Sequence, residues 1–175
     1  MLIELPDPCL VVLCGASGSG KSSFASKHFS ATEIVSSDAC RAMVCDDPED
    51  QSVNEEAFAL AHTICRLRLE LGRLAVMDAT SVEARARREL VDLAEREGAP
   101  AVCVVLALPL DICLARQKLR PGRTVPADVV RRQAEDLWSS LKEIGEEGFS
   151  RVYLLQSAEE LGQVRVARTG SPVPE

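Results

Sequence analysis

The sequence predicts an α/β domain: a parallel sheet of about five strands with helices on both faces. Three observations lead there. An apolar, β-branched run at 10–14 (Leu-Val-Val-Leu-Cys) feeds directly into Gly15-Ala-Ser-Gly-Ser-Gly-Lys21-Ser22, which has the spacing G-x-x-x-x-G-K-[ST] of a phosphate-binding loop. Four further short apolar runs follow, each separated from the next by a helical segment, the alternation that builds a parallel sheet covered on both sides. The length, 175 residues, suits one domain with a real core.

Each element has a local reason. Strand, loop and helix occupy about 9 to 29: glycines at 15, 18 and 20 free the backbone to aim its N–H groups inward, and Ser22 and Ser23 open a helix whose positive end favours phosphate. A second strand is expected at 33–36, leading to Ser37-Asp38-Ala39-Cys40-Arg41. The acidic, turn-rich segment 45–54 reads as a loop with a solvated face. A helix is expected from Glu55 to Leu71, closed by Gly72, and a third strand from Leu74 to Met77, ending at Asp78-Ala79-Thr80. Thr80 and Glu83 have capping-box spacing for a helix running to Glu97, with Gly98 after it. Ala101–Leu108 is the fourth strand. Asp111 is placed to cap a helix that stops before Pro121, Pro126 suits the first turn of a helix over about 127–144, and Val152–Leu155 is the fifth strand. Ser157 and Glu160 cap a short last helix. The domain is expected to span 1–167, with a tail or interdomain linker at 168–175.

Composition removes several function classes. No apolar run approaches a membrane span and no basic-then-apolar leader opens the chain, so a cytoplasmic protein without a membrane partner is expected. The seven cysteines include no C-x-x-C pair and several sit in apolar runs, which reads as buried, reduced thiols; with only two histidines, a zinc site is disfavoured. The formal charge of −7 opposes non-specific binding along a nucleic-acid backbone, though not the gripping of one strand end, and aromatics at 3% weaken any model of stacked bases.

The chemistry-bearing groups fall at strand carboxyl ends, where ligands of open α/β sheets bind. The loop residues Gly15, Ser17, Gly18, Ser19, Gly20, Lys21, Ser22 and Ser23 are the expected donor site for ATP or another nucleoside triphosphate, with Lys21 on the β- and γ-phosphates and the Ser22 hydroxyl on Mg²⁺. Asp38 is placed to accept a proton from an acceptor hydroxyl, or else to cap the turn at 39–43; spacing alone leaves both open. Arg41, one turn on, either meets an anionic acceptor or pairs with Asp38 or the acidic loop. Asp78 takes a metal or substrate role, or caps the next helix. Arg116, Arg120 and Arg123 share a face if the helix persists. From 111 to 132 six basic residues stand against two acids, hence +4 in a chain of −7, and a cationic lid over about 112–132 is expected to close on the donor, a solvated basic surface being the alternative. Arg85, Arg87 and Arg88, among acids, read as ion-paired surface.

The phosphate loop, Ser37-Asp38-Ala39-Cys40-Arg41, Asp78-Ala79-Thr80-Ser81 and the arginines of 116–123, in this order, resemble the 5′-OH polynucleotide kinase module of the bacterial polynucleotide kinase-phosphatases of RNA repair. The resemblance covers about 9–165. It implies a P-loop kinase-like sheet of strand order 2-3-1-4-5 with a helical lid, and transfer of the γ-phosphate of ATP or another NTP to the 5′-OH end of RNA or DNA. It implies Asp38 as general base, Arg41 on the phosphate 3′ to the terminal nucleoside, Asp78 and Thr80 on the acceptor side, and Arg116 on the donor phosphates with Arg120 and Arg123 as helpers. Phosphatase and adenylyltransferase modules of a longer parent chain are the implied partners. Ser81 departs from the asparagine common at that position in the family. Two rivals share the donor features: a P-loop small-molecule kinase for a sugar, nucleoside or antibiotic, and a nucleotide-binding regulatory module.

Overall fold

The computed structural model describes residues 1–119 and 125–170. Among them seven strands and seven α-helices follow in the order β1 (Leu2–Pro6), β2 (Leu10–Cys14), α1 (Lys21–His28), β3 (Ile34–Ser36), α2 (Ser37–Cys45), α3 (Asn54–Glu70), β4 (Ala75–Asp78), α4 (Ala84–Arg96), β5 (Ala101–Leu106), α5 (Leu110–Leu119), α6 (Ala127–Ser140), β6 (Arg151–Leu155), α7 (Ala158–Gln163) and β7 (Arg165–Thr169). Five strands form one parallel sheet in the order β3-β4-β2-β5-β6, which is the expected 2-3-1-4-5 once β1 is left out of the count.

The central strand β2 is buried on both faces, and its residues alternate between two cores. Leu10, Val12 and Cys14 pack with Cys65 and Leu69 of α3, Leu90 and Ala94 of α4, and Leu137 of α6. Val11 and Leu13 pack on the other side with Phe24 and Ala25 of α1 and Ile3 and Leu5 of β1. This is why the central strands read as continuous apolar runs rather than alternating ones. Gly72 and Gly98 both sit at φ 66° just past α3 and α4, closing those helices as expected. The capping of α7 is also as expected: the Ser157 hydroxyl accepts from Glu160 N at 3.1 Å.

Three expectations fail. A second, two-stranded sheet pairs β1 with β7 in parallel, so Arg168 and Thr169 belong to a strand and not to a tail beginning at 168. Arg168 ties it down, its guanidinium meeting both carboxylate oxygens of Glu33 at 2.8 and 2.7 Å and holding that carboxyl below the usual range. Next, Thr80 and Glu83 form no capping box: α4 starts at Ala84 with Glu83 as its N-cap and no side-chain cap bond, after a turn in which Ser81 and Val82 are buried and Ser81 takes φ 45°. That left-handed conformation favours glycine or asparagine over serine. Finally, Arg87 is not surface. It is fully buried, forms a two-point ion pair with Glu147 at 2.7 and 2.6 Å, and donates to the carbonyls of Ser81 at 3.1 Å and Val82 at 2.6 Å. One buried guanidinium thus clamps the turn after β4 to the segment before β6.

All seven cysteines are free thiols and six are buried. No helix among the described residues is long and apolar enough to cross a membrane.

A buried pair whose remaining donors meet backbone carbonyls is costly to break from one side. Glu147→Gln should therefore lower the unfolding free energy by about 3–5 kcal/mol, read by urea denaturation, while Arg87→Met combined with Glu147→Leu should recover most of that loss.

Candidate functional site

The register of three neighbouring strands assembles the site. Leu13 of β2 and Ser36 of β3 both lie opposite Asp78 of β4, so the phosphate loop, the start of α2 and Asp78 emerge side by side at one sheet edge. The loop is stitched to its neighbour where it begins, by Gly15 N donating to Thr80 O at 2.9 Å. Gly18, at φ 85°, lies so close to the Cys113 carbonyl that a β-carbon has no room, and Gly20, at φ 100°, is the N-cap of α1. Lys21 is therefore the first helical residue, one position earlier than expected.

Lys21 is buried and folds back on its own loop. Its ammonium donates to the carbonyls of Gly15 at 2.8 Å and Ala16 at 3.0 Å. Burial pulls its pKa below that of an ordinary lysine, while the negative charge of Asp78, and more weakly of Asp38, pushes it back. Ser17, Gly18, Gly20, Ser22 and Ser23 line the cleft with Lys21. Gly15 and Ser19 do not: Ser19 is fully buried beneath the loop, and its hydroxyl has no hydrogen-bond partner among the described residues.

Across the cleft, α2 is capped by Ser36, whose hydroxyl accepts from Ala39 N at 3.3 Å. The cap is thus not Asp38, which stands in the first turn with its side chain 39% exposed to the cleft. Arg41 is 4% exposed and makes three hydrogen bonds through Nε and Nη1. Its Nη1 meets Asp38 Oδ1 at 2.7 Å and Pro48 O at 2.9 Å, and its Nε donates to Asn54 Oδ1 at 3.0 Å. In this state the arginine pairs with Asp38 and with a carbonyl of the acidic loop, not with the loop's carboxylates. Asp78, 7% exposed, and Thr80, half-buried, complete the shared wall.

The lid side is partly seen. Arg116 of α5 reaches the phosphate loop, its Nη1 donating to Ser19 O at 3.2 Å. Arg120 and Arg123 lie outside the described residues. Two glutamines were not anticipated. Gln133 of α6 accepts from Ser17 N at 2.9 Å. Gln117 of α5, 3% exposed, accepts from Val125 N at 3.3 Å and leaves its Nε2 without a partner among the described residues. No motif marks either; the only signal is the helical face that Gln133 shares with buried Val130, Ala134 and Leu137.

The cleft measures about 1600 Å³ and continues past Asp38 to Phe58 and His62 of α3 and Arg85 of α4. A site for one small ligand holds about 300–1,000 Å³. There is room here for two ligands, one at the phosphate loop and one at Asp38.

The two arginines differ in what they hold. Arg41→Ala leaves a carboxylate, a carbonyl and a side-chain amide without their donor, and should cost about 2 kcal/mol or more of unfolding free energy in urea; Arg116→Ala, which gives up one bond at the cleft wall, should cost less than about 1 kcal/mol.

No curated protein matches the chain in sequence. Solved structures do, in fold. A chain of the Pnkp1/Rnl/Hen1 RNA repair complex superposes with a TM-score of 0.69 at 23% identity, covering 79% of this chain and 46% of that one, so the present chain spans less than half of that protein. A gluconokinase from Sinorhizobium meliloti 1021 superposes with a TM-score of 0.56 at 21% identity, covering 90% and 87%. The AvrRxo1-ORF1:AvrRxo1-ORF2 structure with ATP gives a TM-score of 0.65 at 18% identity, covering 88% and 56%. With the strand order above, these likenesses establish the P-loop kinase fold that the sequence predicts. A family model described as an AAA domain matches residues 10–144, and the chain belongs to this AAA domain family of P-loop proteins.

Proposed function

We propose that the protein is a 5′-OH polynucleotide kinase, passing the γ-phosphate of ATP or another NTP to the 5′-hydroxyl end of RNA or DNA in nucleic-acid repair. The observation that carries this is the Asp38–Arg41 pair, at 2.7 Å, standing across the cleft from Lys21. A base alone suits any hydroxyl acceptor. A base held by a buried guanidinium suits an acceptor that brings its own anion, because a phosphate 3′ to the terminal nucleoside competes with Asp38 for Arg41. Drawing Nη1 toward that phosphate loosens its hold on the carboxylate, which orients the 5′-OH and takes its proton.

On the donor side, Lys21 exchanges two loop carbonyls for phosphate oxygens, and Arg116 neutralises charge on the transferring group from the lid. The residues fit Mg²⁺: Ser22, in the first turn of α1, lines the cleft, and Asp78 lies at the adjoining strand end, both bearing hard oxygen donors. When bound, Mg²⁺ would draw charge from the β- and γ-oxygens. Phosphatase and adenylyltransferase modules on a longer parent chain fit this reading, in keeping with the RNA repair complex among the structural likenesses.

A small-molecule kinase is the second reading, and one observation favours it. Arg41 is already held inside the protein by Asp38, Pro48 and Asn54, and Glu55, Glu83 and Glu89 edge the far end of the cleft, a setting kind to an uncharged acceptor. The two readings separate on the acceptor's phosphate. With ATP as donor, a nucleoside 3′-phosphate should accept phosphate and the matching nucleoside should barely do so; equal turnover of the two would remove the polynucleotide assignment. Asp38→Ala should retain ATP binding while transfer falls by a factor of about 10² or more, the scale of lost general-base catalysis. Undiminished transfer would mean that Asp38 is not the base.

A further inference from the structure

We propose that Gln133 is a plug in the donor site: its carboxamide oxygen holds the Ser17 amide as a surrogate for an anionic oxygen, and donor binding displaces it. The inference rests on the reading of the loop as a triphosphate site.

Ser17 lies between Gly15 and Gly20 in the glycine-rich phosphate loop, and it lines the cleft. A backbone N–H there meets an anion, a protein group or water. In this structure it meets Gln133 Oε1 at 2.9 Å, from a residue 116 positions along the chain that also lines the cleft. The assignment of the two ends of the amide follows from chemistry: only the oxygen accepts from an N–H. Lys21 shows the same substitution with the opposite sign, its ammonium resting on the Gly15 and Ala16 carbonyls.

Gln133 stands on α6, whose Val130 and Ala134 pack with Ala16 and Cys113 of the loop and α5. Arg116 of α5 reaches the same loop at Ser19 O. The helix pair that flanks the arginine-rich segment is thus fastened to the phosphate loop by one acceptor and one donor. Exchanging the Gln133 acceptor for a phosphate oxygen removes the bond by which α6 is fastened to the loop. The competition is intramolecular, so it lowers the apparent donor affinity by the fraction of molecules in which the plug is open.

The test is ATP affinity measured by calorimetry in the presence of Mg²⁺ and without any acceptor, on three forms of the chain. Gln133→Met keeps the length and packing of the side chain but not the acceptor; it should bind ATP about five-fold more tightly than the unaltered protein, the effect of removing one ordinary competing hydrogen bond. Gln133→Glu places a full negative charge on the same N–H and should weaken ATP binding about ten-fold or more, with no loss of melting temperature in the absence of ligand. A merely structural role would lower the melting temperature and the affinity of both variants together. ATP binding by Gln133→Met that is unchanged or weaker, or unchanged binding by Gln133→Glu, would overturn the plug. Because no acceptor is present, that failure leaves the polynucleotide kinase reading standing, and a failure to phosphorylate a 5′-OH leaves the plug standing.

Discussion

The site depends on a register. Parallel pairing sets Leu13 and Ser36 opposite Asp78, and from that pairing the phosphate loop, the start of α2 and the turn after β4 leave the sheet as neighbours. A slip of one residue in β4 would turn Asp78 from one face of the sheet to the other. The turn after β4 holds that register: it is pinned by Gly15 N on the Thr80 carbonyl and by Arg87 and the Cys14 thiol, which both donate to Ser81 O. Arg87 is far from the chemistry, yet it holds the segment on which Asp78 and Thr80 stand.

A second constraint follows from burial. The groups that would meet phosphates lie in a half-enclosed cleft, where an unpartnered donor or cation is expensive. Each has therefore found a partner within the protein: Lys21 with two loop carbonyls, Ser17 N with Gln133, and Arg41 with Asp38, Pro48 and Asn54. Substrate binding in such a site is exchange rather than the filling of a void. Exchange lowers raw affinity, but it keeps the loop in shape between turnovers and makes each ligand's arrival change the state of a particular side chain.

The sequence made the five-stranded sheet legible because buried parallel strands are continuous apolar runs and because glycine, lysine and serine occur in an order that only one kind of turn requires. Gly72, Gly98 and Ser157 marked helix ends through local chemistry, and the structure keeps them there. What stayed hidden is non-local. β1 shows its alternation over only Ile3, Glu4 and Leu5, β7 is largely polar, and they meet across more than 160 positions. Arg87 looked like its neighbours Arg85 and Arg88, since nothing nearby in the chain announces Glu147. Ser36, Ser37 and Asp38 are all good helix caps, and only the backbone decides that Ser36 takes the role and leaves Asp38 to the cleft. A glutamine such as Gln133 has no period or spacing that tells an amide on a loop from an amide in water.

The central claim is that Asp38 and Arg41 together select a hydroxyl that carries a neighbouring phosphate. It is tested most directly by one competition. ATP labelled in the γ-phosphate is offered to the protein with Mg²⁺ and equal concentrations of a 5′-OH oligonucleotide and of gluconate, and the label is followed. The account predicts label at the 5′ end of the oligonucleotide. Label carried by gluconate, with the oligonucleotide left bare, would contradict it.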